Sequence, residues 1–382
     1  MTLDLPETGT FVGRVWLPEA NGPAIVARKG GELVDITSRQ IPTMHALLEL
    51  DDPVDAVSNA AGQGVGDISD IAANSTEAPD PTRPYFLAPS DLQPVKACGV
   101  TFVSSMLERV IEEQAKGDPT KAEQIRERCT AILGDSLRAV VPGSEKAFEL
   151  KKALIAEDVW SQYLEVGIGP DAEVFSKAQP MAAVGVGASV GLHPISSWNN
   201  PEPEIVLAVN SQGKIKGATL GNDVNLRDVE GRSALLLGKA KDNNASCAVG
   251  PMLRLFDETY GLDDVRQAEL TLRVTGEDAF VLNGQSSMKE ISRDPIDLVA
   301  QTRGAHHQYP DGFFLMLGTL FAPTQDRDTP GEGFTHKIGD RVEISNPSLG
   351  RLANTVRLST ECPPWVFGTS ALMKNLAMRD LL

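Results

Sequence analysis

The chain has 382 residues, 41% of them hydrophobic, with 34 glycines and 25 prolines, enough for one large domain with a real core plus a smaller one. Its 52 acidic residues outnumber 35 basic ones for a net charge of -17, which argues against nucleic acid and anionic membrane as partners. Residues 1–30 lack the features of a signal peptide, no apolar run is long enough to span a membrane, and Cys98, Cys129, Cys247 and Cys362 show no disulfide or C-x-x-C spacing, so a cytoplasmic protein with reduced thiols is expected.

In chain order, residues 1–90 read as a small N-terminal α+β domain. Extended runs at 10–16, 24–27 and 32–35 are separated by Gly, Pro and Asn turns, and 44–50 has helical spacing. His45 on that helix reads as a surface residue rather than a ligand. The stretch 73–84, ANSTEAPDPTRP, is the strongest linker signal. Residues 91–382 then form the larger domain. A strand over 95–103 leads into a helix capped by Ser104 or Ser105, with Met106, Leu107, Val110 and Ile111 on one stripe and Lys116-Gly117 as its stop. Asp118-Pro119 opens a second helix. Together with 146–163, this helical block reads either as an inserted lid or as extra packing on a sheet. From 174 onward short strands predominate between Gly/Pro/Asn turns, with helices at 262–267 and 295–308.

Chemistry concentrates at 202–223. Glu202 and Glu204 flank Pro203 at the start of the apolar run 205–209, so they share one strand face about 6.6 Å apart. Asn210-Ser-Gln-Gly213 is a turn signal before a second strand. If Val209 pairs with Lys214, Glu204 lies opposite Thr219, Glu202 lies opposite Gly221, and Asp223 follows just beyond. Three carboxylates then converge at one end of the hairpin. They repel, so one must take a proton or a cation must hold them. No histidine lies between His193 and His306, and Cys247 is alone, so the donor set is oxygen only. Such a set suits Mg²⁺, Mn²⁺ or Ca²⁺ and not zinc.

The order of these residues resembles the fumarylacetoacetate hydrolase family. The resemblance rests on Val174-Phe-Ser-Lys177, Glu202-x-Glu204, Gly221-Asn222-Asp223 with Arg227-Asp228, Lys241-Asp242, Gly250-Pro251, Asn283-Gly284, Leu317-Gly318-Thr319 and Gly339-Asp340-Arg341-Val342. It implies an α+β fold that is mostly β, a mixed β-sandwich roll, with the small N-terminal domain appended. It also implies that Glu202, Glu204 and Asp223 hold a metal, Mg²⁺ with Mn²⁺ as the alternative. Where many family hydrolases carry G-x-N-Y-x-x-H-x-x-E, this chain has Gly99-Val-Thr101-Phe102-Val-Ser-Ser105-Met-Leu-Glu108. Glu108 is kept, but Ser105 takes the histidine position and cannot activate water. The hydrolytic reaction therefore gives way to the one the family's sugar-acid dehydratases perform, loss of water from a small-molecule 2-keto-3-deoxy sugar acid to give 2,5-dioxopentanoate. Glu108 and Lys241 are the catalytic candidates, and a depressed lysine pKa would suit Lys241 as a proton shuttle. Ser105, Lys177, Glu230 and Thr319 are the substrate-binding candidates, while Arg227 and Asp228 are read as a structural ion pair. The resemblance implies a homodimer or homotetramer. The rival readings are a C–C hydrolase or decarboxylase on the same fold, and a non-catalytic binding or scaffold protein.

Overall fold

The computed structural model describes residues 1–102, 106, 140–156, 160–320, 325–328 and 333–382. Ser105, Glu108 and most of the expected helical pair that follows 103 lie outside those residues.

The N-terminal strands are β1 (Phe11–Leu17), β2 (Gly22–Lys29), β3 (Glu32–Asp35), β4 (Gln63–Asp67) and β5 (Tyr85–Leu87), followed by β6 (Val95–Gly99). After the helices Glu145–Ala156 and Gln162–Ile168 come β7 (Glu173–Ala178), β8 (Ser189–Leu192), β9 (Pro203–Val209), β10 (Ile215–Asp223) and β11 (Cys247–Leu255). The chain continues through β12 (Glu269–Thr275), β13 (Val281–Ser287), β14 (Phe313–Met316), β15 (Arg341–Asn346) and β16 (Gly350–Leu358). One sheet runs β4-β3-β2-β1-β11-β10-β9-β14-β6-β7 with β5 also on β1, and a second runs β13-β12-β15-β16-β8. β14–β6 and β16–β8 are parallel and the other pairings antiparallel, so both sheets are mixed, as expected.

Burial explains why these segments are strands. β9, PEIVLAV, is apolar throughout and buried at every position because both of its faces are covered. Ile205, Leu207 and Val209 face a core shared with Leu270, Leu272, Val342 and Ile344 of the second sheet. Val206 and Ala208 face the opposite way, into a second core closed by Met44, Leu47 and Leu48 of the helix Met44–Glu49. By contrast β12, ELTLRVT, alternates exposed and buried, as a strand with one wet face does.

The first ninety residues add their strands directly to the large sheet. β1 pairs with β11 at Phe11↔Arg254 and Val12↔Leu253. The stretch 73–84 is an ordered loop rather than an extended linker. Asn74 is buried there, with Nδ2 donating to the carbonyls of Asp80, Arg83 and Pro84 and Oδ1 accepting from Asp80 N–H. One side chain thus replaces the backbone partners that the three prolines deny the loop. The helix expected over 146–163 is broken, with Ser161 capping a new one by accepting from Tyr163 N–H. The helix expected over 295–308 stops at Thr302. Among the described residues no helix is long and apolar enough to cross a membrane.

Candidate metal centre

The hairpin β9–β10 brings the acids together in a register two residues from the expected one. The loop spans 210–214, so Val209 pairs with Ile215, and a bulge before Gly217 adds one more residue. Asn210 builds that loop: its Oδ1 accepts from Gln212 N–H and Lys214 N–H, and its carbonyl accepts from Gly213 N–H. Glu204 therefore lies opposite Gly221, and Asp223 N–H donates to Glu202 O at 3.0 Å. The corrected register sets Asp223 directly across from Glu202 and tightens the convergence. Gly221 lets β9 and Met316 pack closely beside Glu204, because a Cβ there would stand 2.6 Å from Val206 Cγ2 and 2.7 Å from Met316 Cε and would make those side chains shift.

One carboxylate oxygen from each of Glu202, Glu204 and Asp223 lies within 4.8 Å of the others, and all three residues are buried. Lys241, at the end of the helix Leu237–Lys241, donates to Glu202 Oε2 at 2.5 Å and to Asp223 Oδ2 at 3.0 Å. Lys177 on β7 has no exposed surface. Its Nζ stands 2.7 Å from Asp223 Oδ1 and donates to the carbonyls of Val224 and Lys241. It therefore ties the end of β10 to the lysine-bearing helix, from a position where solvent does not reach it. Asn225 Nδ2 donates to Glu202 Oε1 at 3.1 Å, and Gly318 N–H donates to Glu204 Oε2 at 2.6 Å.

Burial raises the Glu204 pKa well above the carboxylate range, and the neighbouring charges of Asp223 and Glu202 add to it. Burial raises that of Glu202 as well, against the pull of Lys241. Burial works against ionisation of Asp223 too, but Lys177 and Lys241 outweigh it and hold its pKa low. Lys241 is shifted in the direction opposite to that expected of a proton shuttle. Burial favours its neutral form, yet Asp223 and Glu202 raise its pKa, so at neutral pH it is a fixed ammonium donor. Two buried carboxyls that favour their protons, in an oxygen-only donor set, fit a hard divalent cation that would take the place of those protons.

The other sequence candidates frame this cluster. Glu230 ends the helix Arg227–Glu230, and its charge is felt by both Glu202 and Lys241. With Tyr163, Glu173, Arg232 and Ser233 it lines a cavity of about 260 Å³. Thr319 follows Gly318, whose N–H meets Glu204. Asp228 accepts from Ser196 Oγ and Ser197 N–H, and the Arg227 guanidinium stacks 4.2 Å over the Trp198 ring, so this pair fastens the segment that leads into β9. Sequence reading missed Asn225 and the Gly318 amide. The Asn225 signal lay in N-D-V-N, two residues past Asp223, but a backbone N–H carries no sequence signal at all.

Residues 169–357 match the family model described as fumarylacetoacetate (FAA) hydrolase C-terminal. The chain is 32% identical over 188 residues to 2-dehydro-3-deoxy-D-arabinonate dehydratase of Saccharolobus solfataricus, covering 48% of this chain and 58% of that one. It is 30% identical over 195 residues to a protein of Haloferax volcanii named probable 2-keto-3-deoxyxylonate dehydratase, covering 51% and 63%. The match thus spans less than two thirds of either relative. Among solved structures, the apo form of 2-keto-3-deoxy-D-arabinonate dehydratase superposes with a TM-score of 0.63 at 20% identity, over 92% of this chain and 99% of that one. The form complexed with magnesium and 2,5-dioxopentanoate gives 0.61 at 20% identity, with the same coverage. At that identity the likeness establishes the fold. Residues 169–357, the stretch similar to the fumarylacetoacetate hydrolase family, hold all three acids and both lysines.

Proposed function

We propose that this protein is a Mg²⁺-dependent hydro-lyase that converts a 2-keto-3-deoxypentonate into 2,5-dioxopentanoate and water. The observation that carries the reading is the buried carboxylate trio with Lys241 fixed between two of its members. The dehydratase names of the two sequence relatives, and the magnesium and 2,5-dioxopentanoate named with one structural neighbour, support the same choice. Glu202, Glu204 and Asp223 hold the cation, with Mn²⁺ as a substitute. When bound, Mg²⁺ supplies Lewis acidity toward the carboxylate and keto oxygens of a 2-keto acid.

Lys241 keeps Glu202 and Asp223 oriented, helps to hold Asp223 ionised, and presents an ammonium donor beside the substrate. Glu108, outside the described residues, is assigned proton transfer at C3 or at the departing C4 hydroxyl. Glu230 is assigned to the sugar hydroxyls, Ser105 and Thr319 to substrate placement, and Lys177 to holding Asp223. The C3 proton and the C4 hydroxyl leave as one water; a proton then moves from C5 to C3 to give the C4–C5 enol, and the enol's hydroxyl proton moves to C4 to leave the C5 aldehyde. A small-molecule sugar acid as partner and assembly as a homodimer or homotetramer complete the proposal. Light scattering of the purified chain checks the assembly.

The test of the reaction is incubation with Mg²⁺ and a panel of 2-keto-3-deoxy acids. The expected product is one water lighter, carries an aldehyde and keeps its five-carbon chain. Two shorter carbon fragments would instead identify the C–C-cleaving activity of the same fold. No turnover or binding across the panel would leave the scaffold reading.

A further inference from the structure

We infer that Thr101 is a positioning residue of the metal centre, acting on Glu204 through the single peptide plane that joins Leu317 to Gly318. The inference rests on the reading of Glu204 as a metal ligand.

Thr101 is 2% exposed, and its Oγ1 donates to Leu317 O at 2.7 Å. On the opposite edge of the same peptide unit, Gly318 N–H donates to Glu204 Oε2 at 2.6 Å. The carbonyl and the N–H of one peptide lie in a rigid plane and point in opposite directions, so fixing the first aims the second. The hydrogen bond at the carbonyl also polarises the amide and strengthens its N–H as a donor. Gly318 has φ +93°, and a Cβ there would stand 2.0 Å from Thr101 Oγ1 and 3.0 Å from Cys98 O. The hydroxyl is therefore packed against the Gly318 Cα, at a site only glycine can occupy.

Thr101 is itself held in place. Ser292 donates to Thr101 O through N–H at 2.7 Å and through Oγ at 2.9 Å, and Phe102 bridges to Ile291. The preceding Val100 has φ +53°, a left-handed backbone that β-branched residues rarely adopt. Such strain persists only where the surroundings over-determine it. Here the surroundings hold the turn that carries the chain from β6 past Gly318 and on toward Ser105 and Glu108. The hydroxyl thus ties Glu204 to the turn that follows β6.

The test compares Mg²⁺ binding by isothermal titration calorimetry, and unfolding without metal, for wild type, Thr101→Val, Thr101→Ala and Thr101→Ser. Supporting groups around metal ligands typically matter by about 10–100-fold in affinity, so Thr101→Val and Thr101→Ala should weaken Mg²⁺ binding by that factor. Thr101→Ser, which keeps the hydroxyl, should stay within about threefold of wild type. A purely structural role would lower the metal-free Tm in all three variants and leave the folded protein's affinity unchanged. Overturning results are wild-type affinity in folded Thr101→Val or Thr101→Ala, or no rescue by serine. If Thr101→Val does not fold, Thr101→Ala, which introduces no new contact, carries the same comparison. Failure of the wild type to bind Mg²⁺ would overturn the metal reading itself, and this relay with it.

Discussion

Glu204 is the carboxylate least compensated by its surroundings. Lys241 and Lys177 bond Glu202 and Asp223, whereas among the described residues Glu204 accepts from one backbone N–H, faces two acidic neighbours and feels Lys241 only through its charge. Its pKa, like that of Glu202, lies above the ordinary 4.5 in the metal-free fold. The folded chain then holds protons that the unfolded chain has released, so metal-free stability should fall as pH rises from about 4.5 through the elevated values. The depressed Asp223 has the opposite sign, but its window lies below 3.8. Mg²⁺ displaces the protons and removes this loss. The Tm gained on adding Mg²⁺ should therefore increase as pH rises above about 4.5, and a Glu204→Gln variant should lose most of that gain. A pH-independent Mg²⁺ shift measured by differential scanning fluorimetry would contradict this. Glu108 carries a separate expectation from its role as acid or base. Glu108→Gln should lower kcat by about 10²–10⁴-fold with little change in KM, which steady-state kinetics on the keto acid will show.

At the scale of the element, the turn at 210–214 sets the register that builds the site. A simple four-residue turn would have placed Glu204 opposite Thr219, but the Asn210 loop and the bulge before Gly217 shift the pairing by two. A shift of two keeps every side chain on its original face. The convergence expected from the sequence therefore survives a wrong register, where a slip of one would have destroyed it. Asn210→Ala removes an acceptor of two backbone N–H groups and should cost about 1–3 kcal/mol in denaturant unfolding. The turn lies about 20 Å along the strand from Glu204 at 3.3 Å per residue, so Mg²⁺ affinity of the folded variant should stay unchanged. A large loss of affinity without loss of stability would mean that register is coupled to the site differently.

For the whole molecule, the two cores bear on how residues 1–90 relate to the metal domain. We propose that this segment is a module docked by strand addition, contributing no ligand to the cation but covering the β11 edge. Phe11, Val15 and Leu17 lie in the core between the sheets, and Val12, Met44 and Leu47 in the core on the other face of the large sheet. Deleting residues 1–90 should strip apolar cover from both cores and expose the β11 edge, giving an aggregation-prone chain. Supplying 1–90 as a separate polypeptide during refolding should restore solubility and Mg²⁺ binding. A deletion variant that is monodisperse by size-exclusion chromatography would show that the larger part is self-sufficient.

The sequence by itself determined the class of fold and the three acids. Strand patterning is local, and E-P-E on one strand followed by N-D on the next places like charges together in any register that keeps the faces. It also marked Lys177 and Lys241 as belonging to the site. Only the tertiary structure decided what those lysines do. Lys241 holds its proton because two carboxylates meet it in the interior, and Lys177 is enclosed beneath Asp223. The third kind of partner, the Gly318 amide aimed at Glu204 by the Thr101 hydroxyl, depends on residues 114 and 216 positions apart in the chain. Backbone donors are the same for every residue type except proline, so nothing in the amino-acid sequence marks them until the fold brings the segments together.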